Sequence, residues 1–349
     1  MNLEQLYAQI SEAVRQLDFD RIWKGFRPLK FALYNEKECY FDGKYIEKTA
    51  DFCANTAIEY HGEYIAIWNV EETLDIDVFA SKMVHEMFHA FQEMQGWNCH
   101  AKEMEALYKY RYEVQNLCIK MHENELLLSL EDSFEISKYE ELLTYRKYRS
   151  EKFPYEYQYE AYVEEIEGTA NYVEWMVLEQ LNSEKSQALI GDMKNVMLQP
   201  EYFFPIRISS YYTGALMVSV ALKANEYHMD TTERPYGLTI LKNHVIKEEL
   251  FDAGKISYLK VTDAIRLFDE ETNAIIASAL EKNDIVLTGP LQMKSVNIYD
   301  ARCKDNYITS RFFLMYVENN QDKVIRGNFV IKMRDEKIID KVYRWPEKE

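Results

Sequence analysis

The stretch from residue 101 to residue 150 contains neither glycine nor proline and is rich in Leu, Tyr, Glu and Lys. Glycine and proline are the residues that most often interrupt a helix, so their absence over this length predicts one or two long helices. Pro154 ends the run. We therefore expect the middle of the chain to be built from packed helices.

Short strand patterns precede this helical region. One covers residues 30–35, a second pattern at 39–48 predicts a hairpin, and residues 55–70 predict two more strands. We expect the turns inside these patterns at Asp42-Gly43 and at His61-Gly62. The N-terminal part of the chain is thus expected to form a small mixed sheet over about residues 30–70.

Helical patterns dominate from residue 75 to residue 283, including strong ones at 158–181, 184–197 and 209–226. The pattern then changes, and residues 284–349 predict four or five short strands in an antiparallel β module. We expect two regions, 1–283 and 284–349, and an α+β fold class.

Composition and charge argue against several classes of protein. The chain has 349 residues and a formal net charge of −18, with no basic stripe of the kind that nucleic acid requires. It has no apolar run of 18 residues and no signal-peptide pattern, so we expect a cytoplasmic protein without a membrane partner. Its five cysteines form no C-x-x-C pair, which argues against a disulfide framework or a thiolate zinc site.

The sequence "MVHEMFHAFQ" carries two histidines four residues apart, with a glutamate after the first. It lies in a helical pattern from about Asp75 to Glu93. Residues i and i+4 share one face of a helix, so His85 and His89 can bind one metal ion together. In metallohydrolases the glutamate at the position of Glu86 takes a proton from the attacking water. The alternative is an ordinary amphipathic helix with histidines at the edge of its apolar stripe.

A catalytic zinc needs a third protein ligand. The metzincin spacing would place a histidine at residue 95, which is glutamine, so that class is rejected. A glutamate from the 158–181 helix remains, and Glu167 is the best candidate because Gly168 would let its backbone pass close to the histidine helix. Glu164 lies on the same helical face and is the main rival; Glu160 and Glu165 are weaker competitors.

"HEMFH" followed at a distance by "EGTANY" resembles the gluzincins, the zinc peptidases of the thermolysin and aminopeptidase N type. Glu167 to Ala170 match the end of the Asn-Glu-Gly-x-Ala segment that supplies the third ligand in aminopeptidase N relatives, although Ile166 replaces the asparagine. The resemblance implies a zincin-like core, with a sheet over the histidine helix whose edge strand pairs with extended substrate. Residues 63–69 resemble that edge strand.

The same resemblance implies two further roles. "YYTGA" matches a Tyr-x-x-Gly-Ala segment whose tyrosine donates to the oxyanion, which points to Tyr211, with Tyr212 as the alternative. In thermolysin-type enzymes an acidic residue one helical turn after the third ligand supports a ligand histidine; that position is Asn171 here, and Glu174 is its alternative.

These observations predict a zinc metallopeptidase with one zinc per chain. His85, His89 and Glu167 would bind the metal, with Glu86 as general base for a metal-activated water. Two alternatives stay open: a non-catalytic binding or regulatory protein on the same fold, and a hydrolase of a non-peptide amide or ester. The segment 97–155 has no counterpart in the resemblance and is expected to be a lid or a wall of the cleft.

Overall fold

The computed structural model describes residues 2–71, 75–250 and 258–345. Parts of the predicted helical region (251–257) and of the predicted β module (346–349) lie outside them. The described chain is a mixed α+β structure. Its helices are α1 Leu3–Arg15, α2 Phe19–Ile22, α3 Ile76–Met94, α4 Glu103–Lys109, α5 Val114–Asp132, α6 Ile136–Lys152, α7 Pro154–Val163, α8 Thr169–Leu181, α9 Ser183–Met197, α10 Ile206–Lys223, α11 Tyr236–Leu241 and α12 Tyr258–Lys282. Its strands are β1 Phe31–Tyr34, β2 Cys39–Phe41, β3 Lys44–Ile46, β4 Thr56–Tyr60, β5 Glu63–Asn69, β6 Ile285–Val296, β7 Arg302–Lys304, β8 Tyr307–Ser310, β9 Phe313–Glu318, β10 Gln321–Arg326, β11 Phe329–Met333 and β12 Ile338–Arg344.

The N-terminal strands form one five-stranded sheet in the order β3-β2-β1-β5-β4. Only the β1–β5 pair is parallel, so the sheet is mixed as predicted. Asp42 and Gly43 have φ of 48° and 82°, and His61 and Gly62 have φ of 52° and 84°. Two consecutive residues with positive φ suit two-residue hairpin turns. Both predicted turn positions are therefore confirmed.

The edge strand of this sheet is not the strand that the sequence suggested. β5, residues 63–69, lies between β1 and β4, and its residues 65–67 are fully buried. A strand paired on both sides and covered on both faces carries consecutive apolar residues, as β5 does. Among the described strands the edges of the sheet are β3 and β4, and β4 is the one beside β5. The expectation for residues 63–69 was wrong.

α3 begins and ends where the sequence predicted. The Asp75 side chain accepts hydrogen bonds from the first turn, and Gly96, with φ of 69°, follows the helix end. Its apolar stripe is buried against α1, the sheet and α8. The buried residues of the stripe include Val84, Met87, Phe88 and Phe91. This packing fixes the rotation of the helix and hence the direction of its histidines.

Residues 154–181 form one helix that is interrupted by a π-helical turn at residues 164–168. A π turn holds one residue more than an α turn and is common at functional sites. The segment 97–155 contains the two predicted long helices, α5 and α6, together with the short α4. α5 and α6 pack against each other, α5 also packs on α10, and α6 packs on α7. The two long helices of this segment are therefore part of the packed helical core.

The C-terminal strands form a seven-stranded antiparallel sheet in the order β10-β9-β6-β12-β11-β8-β7. The sequence predicted four or five strands. The difference arises because Gly327, with φ of 131°, separates β10 from β11, and because a tight turn separates β7 from β8. The sheet packs on α12 and on apolar residues of α4. No helix among the described residues is long and apolar enough to span a bilayer.

Candidate metal centre

The two histidines of α3 face each other at their Nε2 atoms. His85 Nε2 and His89 Nε2 are 3.1 Å apart, and the side chains are mostly buried. The four-residue spacing on one helix produces this convergence directly. Two ring nitrogens so close need either a proton or a cation between them, because two lone pairs repel each other.

Glu167 comes to the same point from the π-helical turn. Its Oε2 lies 3.4 Å from His89 Nε2 and 4.0 Å from His85 Nε2. A tetrahedral zinc with bonds of about 2.0–2.1 Å holds its ligand atoms roughly 3.3 Å apart. The separations of 3.1 Å and 3.4 Å are close to this value, and the separation of 4.0 Å is longer. Together the three residues form a group that could hold a metal ion.

The rival glutamates have other partners. Glu164 is fully buried, where it binds Arg146 and accepts a hydrogen bond from Thr213 Oγ1 at 2.7 Å. Burial alone would raise the pKa of Glu164, but the positive charges of Arg146 and Lys120 lower it. Because its carboxylate already neutralises buried cations, Glu164 is not free to bind a metal.

The other two competitors are occupied in the same way. Glu160 binds Arg149 and lies 3.1 Å from the Lys120 ammonium. Glu165 binds Arg234 and accepts a hydrogen bond from a backbone N–H. Of the four glutamates that the sequence offered, the structure brings only Glu167 to the histidines.

Gln92 orients His89 and ties α3 to the π turn. Its Oε1 accepts a hydrogen bond from His89 Nδ1 at 2.7 Å. Its Nε2 donates to Ile166 O at 2.8 Å and to Thr169 Oγ1 at 2.9 Å. This bond holds the Nδ1 proton of His89 on the side of Gln92, so Nε2 faces His85 and Glu167. Sequence reasoning missed Gln92. Its position three residues after His89 places it next to that histidine on the helix surface, which could have indicated the contact.

Glu174 supports the other histidine. Its Oε2 lies 3.2 Å from His85 Nδ1, which has no other hydrogen-bond partner among the described residues. Burial alone would raise the pKa of Glu174, but His85 and the Lys82 ammonium lower it. Asn171, the residue at the expected helical position, instead lines the cleft beside Glu86. The contact predicted for Asn171 is thus made by its alternative, Glu174.

The electric field at the centre favours a positive charge. Burial disfavours the His89 imidazolium, but the hydrogen bond to Glu167 and the charges of Glu167 and Glu86 raise the pKa of His89 to about 9. Burial would likewise raise the pKa of Glu167, but His89, Arg207 and His85 lower it to about 2. A metal cation would take the place of the proton that this pair holds.

Arg207 holds Glu167 from the side opposite the histidines. Its Nη2 donates to Glu167 Oε1 at 2.5 Å, and its Nη1 binds Glu103 of α4. Glu167 therefore offers one oxygen to the histidines and the other to Arg207. Sequence reasoning missed Arg207, although it lies one helical turn before Tyr211 on α10.

Tyr211 faces the same cluster. Its hydroxyl accepts a hydrogen bond from Arg207 Nη2 at 3.0 Å and lies 3.1 Å from the hydroxyl of Tyr299. Burial and the charge of Glu167 raise the pKa of Tyr211 well above its usual value, so the hydroxyl keeps its proton. Tyr212, the alternative, contributes only to one end of the cleft.

A two-sided cleft runs past the centre. One side, of about 400 Å³, is lined by residues 55–57 beside and within edge strand β4, and by Glu167 and Tyr299. The other side, of about 250 Å³, is lined by Trp68, Lys82, Leu189, Met193 and Tyr212. His85, Glu86 and Tyr211 line both sides. An extended molecule lying in the cleft would cross Glu86 and the group of His85, His89 and Glu167 midway.

Comparison of the chain with models of protein families, with curated proteins and with solved structures gave no match. The resemblance to gluzincins therefore rests on the motif residues and stays a prediction.

Proposed function

We propose that the chain is a zinc-dependent metallopeptidase of the gluzincin type, with a zincin-like core formed by the N-terminal sheet, α3 and the 154–181 helix. The observation that carries the proposal is the convergence of His85, His89 and Glu167 at the midpoint of a cleft that Glu86 lines on both sides. If His85 and His89 were only an accidental pair on an amphipathic helix, nothing would explain why Glu167 lies next to them and why Glu86 lines the cleft beside them.

When bound by these three residues, a zinc ion supplies Lewis-acid chemistry: it polarises a carbonyl and makes water a stronger acid. Glu86 is the general base that removes a proton from the attacking water. Its carboxylic acid then returns that proton to the leaving amine nitrogen. Tyr211 donates a hydrogen bond from its hydroxyl to the oxyanion that forms on the substrate carbonyl oxygen.

A peptide suits the shape of the cleft. Among the described strands β4 pairs with β5 alone, so its other side offers an edge to a further strand next to the cleft. An extended peptide can add to such an edge by main-chain hydrogen bonds. Cleavage in the middle of a bound peptide requires room on both sides of Glu86, and the two halves of the cleft offer it.

The test is cleavage of a library of internally quenched peptides by the zinc-loaded chain. Glu86→Gln keeps the size of the side chain and removes the base, so we expect it to retain zinc and lose cleavage by about 10²–10⁴-fold. Glu179→Gln, the same change at an exposed position of α8, is the matched control and should cleave normally.

Equal cleavage by Glu86→Gln and the original chain would contradict the proposal. A chain that binds zinc but cleaves no peptide would favour a binding protein or a hydrolase of another amide or ester.

A further inference from the structure

The connection between β6 and β7 carries a side chain of the C-terminal sheet into the cleft. Tyr299 lies in this connection, and its hydroxyl is 3.1 Å from that of Tyr211, 88 residues earlier in the chain. Tyr299 also lines the larger side of the cleft with Glu86 and Glu167. Tyr299 has no role of its own in the catalytic steps proposed above.

The connection is held by its own hydrogen bonds. The Asn297 backbone N–H donates to Ser310 Oγ of β8 at 3.1 Å, and the Ala301 N–H donates to Asn297 O at 3.0 Å. Asp300 accepts from the Arg311 N–H at 3.3 Å. Tyr299 is half exposed, yet these bonds restrict the backbone that presents it.

The Arg207 guanidinium lies beside both tyrosine rings. Its central carbon is 5.3 Å from the ring centre of Tyr211 and 5.7 Å from that of Tyr299. A cation within about 6 Å of an aromatic face is attracted to the ring. The same arginine that holds Glu167 thus also fixes the relative position of the two tyrosines.

The number of hydrogen bonds that the Tyr211 hydroxyl can donate and accept limits which of its neighbours can act as donors. A tyrosine hydroxyl has one proton to donate and can accept two hydrogen bonds. Arg207 can only donate, so it occupies one lone pair of Tyr211. If the proton of Tyr211 points to Tyr299, none is left for a substrate. If Tyr299 donates instead, the second lone pair is filled and the Tyr211 proton is free to face the cleft.

We propose that Tyr299 is a positioning residue that donates a hydrogen bond to the Tyr211 hydroxyl and so leaves the Tyr211 O–H free to donate a hydrogen bond to the substrate oxyanion. The proposal rests on the proposed peptidase function. The proposal makes the C-terminal sheet part of the active unit. Among the hydrogen bonds of the described residues, the Tyr211 hydroxyl has Arg207 as its partner from the helical region and Tyr299 as its partner from the C-terminal sheet. The half-exposed hydroxyl of Tyr299 can itself accept a hydrogen bond from water.

The test compares four zinc-loaded full-length chains: the original, Tyr299→Phe, Tyr211→Phe and the double variant. Tyr299→Phe removes only a hydroxyl, so we expect kcat to fall about 10-fold, KM to stay within about 2-fold and zinc content to be unchanged. In the Tyr211→Phe background the same change should alter kcat less than about 2-fold, because the group that it orients is gone. Tyr307→Phe, on β8 of the same sheet and packed near α12, is the control and should match the original chain.

An unchanged kcat in Tyr299→Phe would overturn the proposal, and so would effects of the two variants that simply multiply. Binding of acetohydroxamate, a small anionic zinc ligand, gives a readout that does not depend on turnover. We expect Tyr299→Phe to bind acetohydroxamate about 5-fold more weakly than the original chain. In the Tyr211→Phe background the same change should leave the affinity for acetohydroxamate unchanged. If no chain cleaves peptides, the peptidase function fails; a loss of hydroxamate affinity would still support the Tyr299–Tyr211 arrangement, and equal affinities would reject it.

Discussion

Gly168 and Gly214 are in direct backbone contact. A Cβ atom on Gly168 would lie 2.5 Å from the Gly214 Cα, and one on Gly214 would lie 2.7 Å from the Gly168 Cα. Only glycine at both positions allows α10 to come this close to the π turn. The contact brings Arg207 and Tyr211 to Glu167. The sequence predicts that Gly168 permits a close approach to the histidine helix; in the structure the close approach at Gly168 is to α10.

The first prediction concerns this contact. Gly214→Ala must push the two helices apart, which we expect to lower the free energy of unfolding by about 1–3 kcal/mol. It should also weaken zinc binding, because Arg207 moves away from Glu167. Urea titration and zinc titration measure the two effects.

Gly191→Ala is the matched control. Gly191 lies within α9, and a Cβ there meets no atom within 4 Å. Alanine is a better helix former than glycine by about 1 kcal/mol, so this variant should be slightly more stable than the original chain. Equal effects of the two changes would show that the close approach is not what Gly214 provides.

The second prediction concerns Arg207. Arg207→Lys keeps the charge but replaces a planar fork with a single ammonium, which cannot hold Glu103 and Glu167 together. We expect the zinc dissociation constant to rise about 10–100-fold, the usual cost of losing a group that orients a ligand. Arg266→Lys, at a fully exposed pair with Glu270, should leave zinc binding unchanged. Undisturbed zinc affinity in Arg207→Lys would mean that Glu167 is held by other contacts.

The third prediction separates Glu174 from Asn171. Glu174→Gln keeps the side-chain size and removes the negative charge next to His85 Nδ1, so we expect zinc affinity to fall about 10-fold. Asn171→Ala removes a cleft-lining side chain that makes no hydrogen bond to either histidine among the described residues, and it should change the affinity less than about 2-fold. Competition with a chromogenic chelator measures both. The reverse order of effects would restore Asn171 to the supporting role.

The fourth prediction concerns stability in acid. Burial alone would raise the pKa of Glu160, but Arg149 and Lys120 lower it to about 2, below the ordinary value of 4.5. A carboxyl with a lowered folded-state pKa stabilises the fold above pH 4.5, and the stabilisation is lost as pH falls from about 4.5 to about 2. The shift corresponds to about 3 kcal/mol.

Urea unfolding at a series of pH values from 7 to 3 tests this prediction. Glu160→Gln should be less stable at pH 7, since two buried cations lose a partner. Its free energy of unfolding should also fall less steeply with acidification than that of the original chain. Parallel pH curves for the two chains would show that Glu160 keeps an ordinary pKa.

Local sequence patterns predicted the elements that depend on neighbours in the chain. The turns at Asp42-Gly43 and His61-Gly62, the limits of α3 and the two long helices α5 and α6 all follow from such patterns. The choice of edge strand did not, because the position of β5 between β1 and β4 depends on the order of strands in the sheet. Strand order is set by packing over the whole region.

The candidate site divides in the same way. The spacing on α3 was sufficient to pair His85 with His89, and a short motif was sufficient to suggest Glu167. Which glutamate is free depends on buried cations of α5 and α6 and on Arg234, which precedes α11. No local pattern links these cations to the 154–181 helix. Tyr299 reaches Tyr211 only because the C-terminal sheet packs against the helices. No feature of the sequence around Tyr299 indicated this contact.

The most direct test of the metal centre is the zinc content of the purified chain after zinc loading and dialysis, measured by elemental analysis beside Glu167→Ala. Glu179→Ala, on the exposed side of α8, serves as control. We predict about one zinc per chain in the original and in Glu179→Ala, as three protein ligands require, and almost none in Glu167→Ala. An original chain that keeps no zinc, or a Glu167→Ala chain that keeps as much as the control, would contradict the assignment of His85, His89 and Glu167 as a metal site.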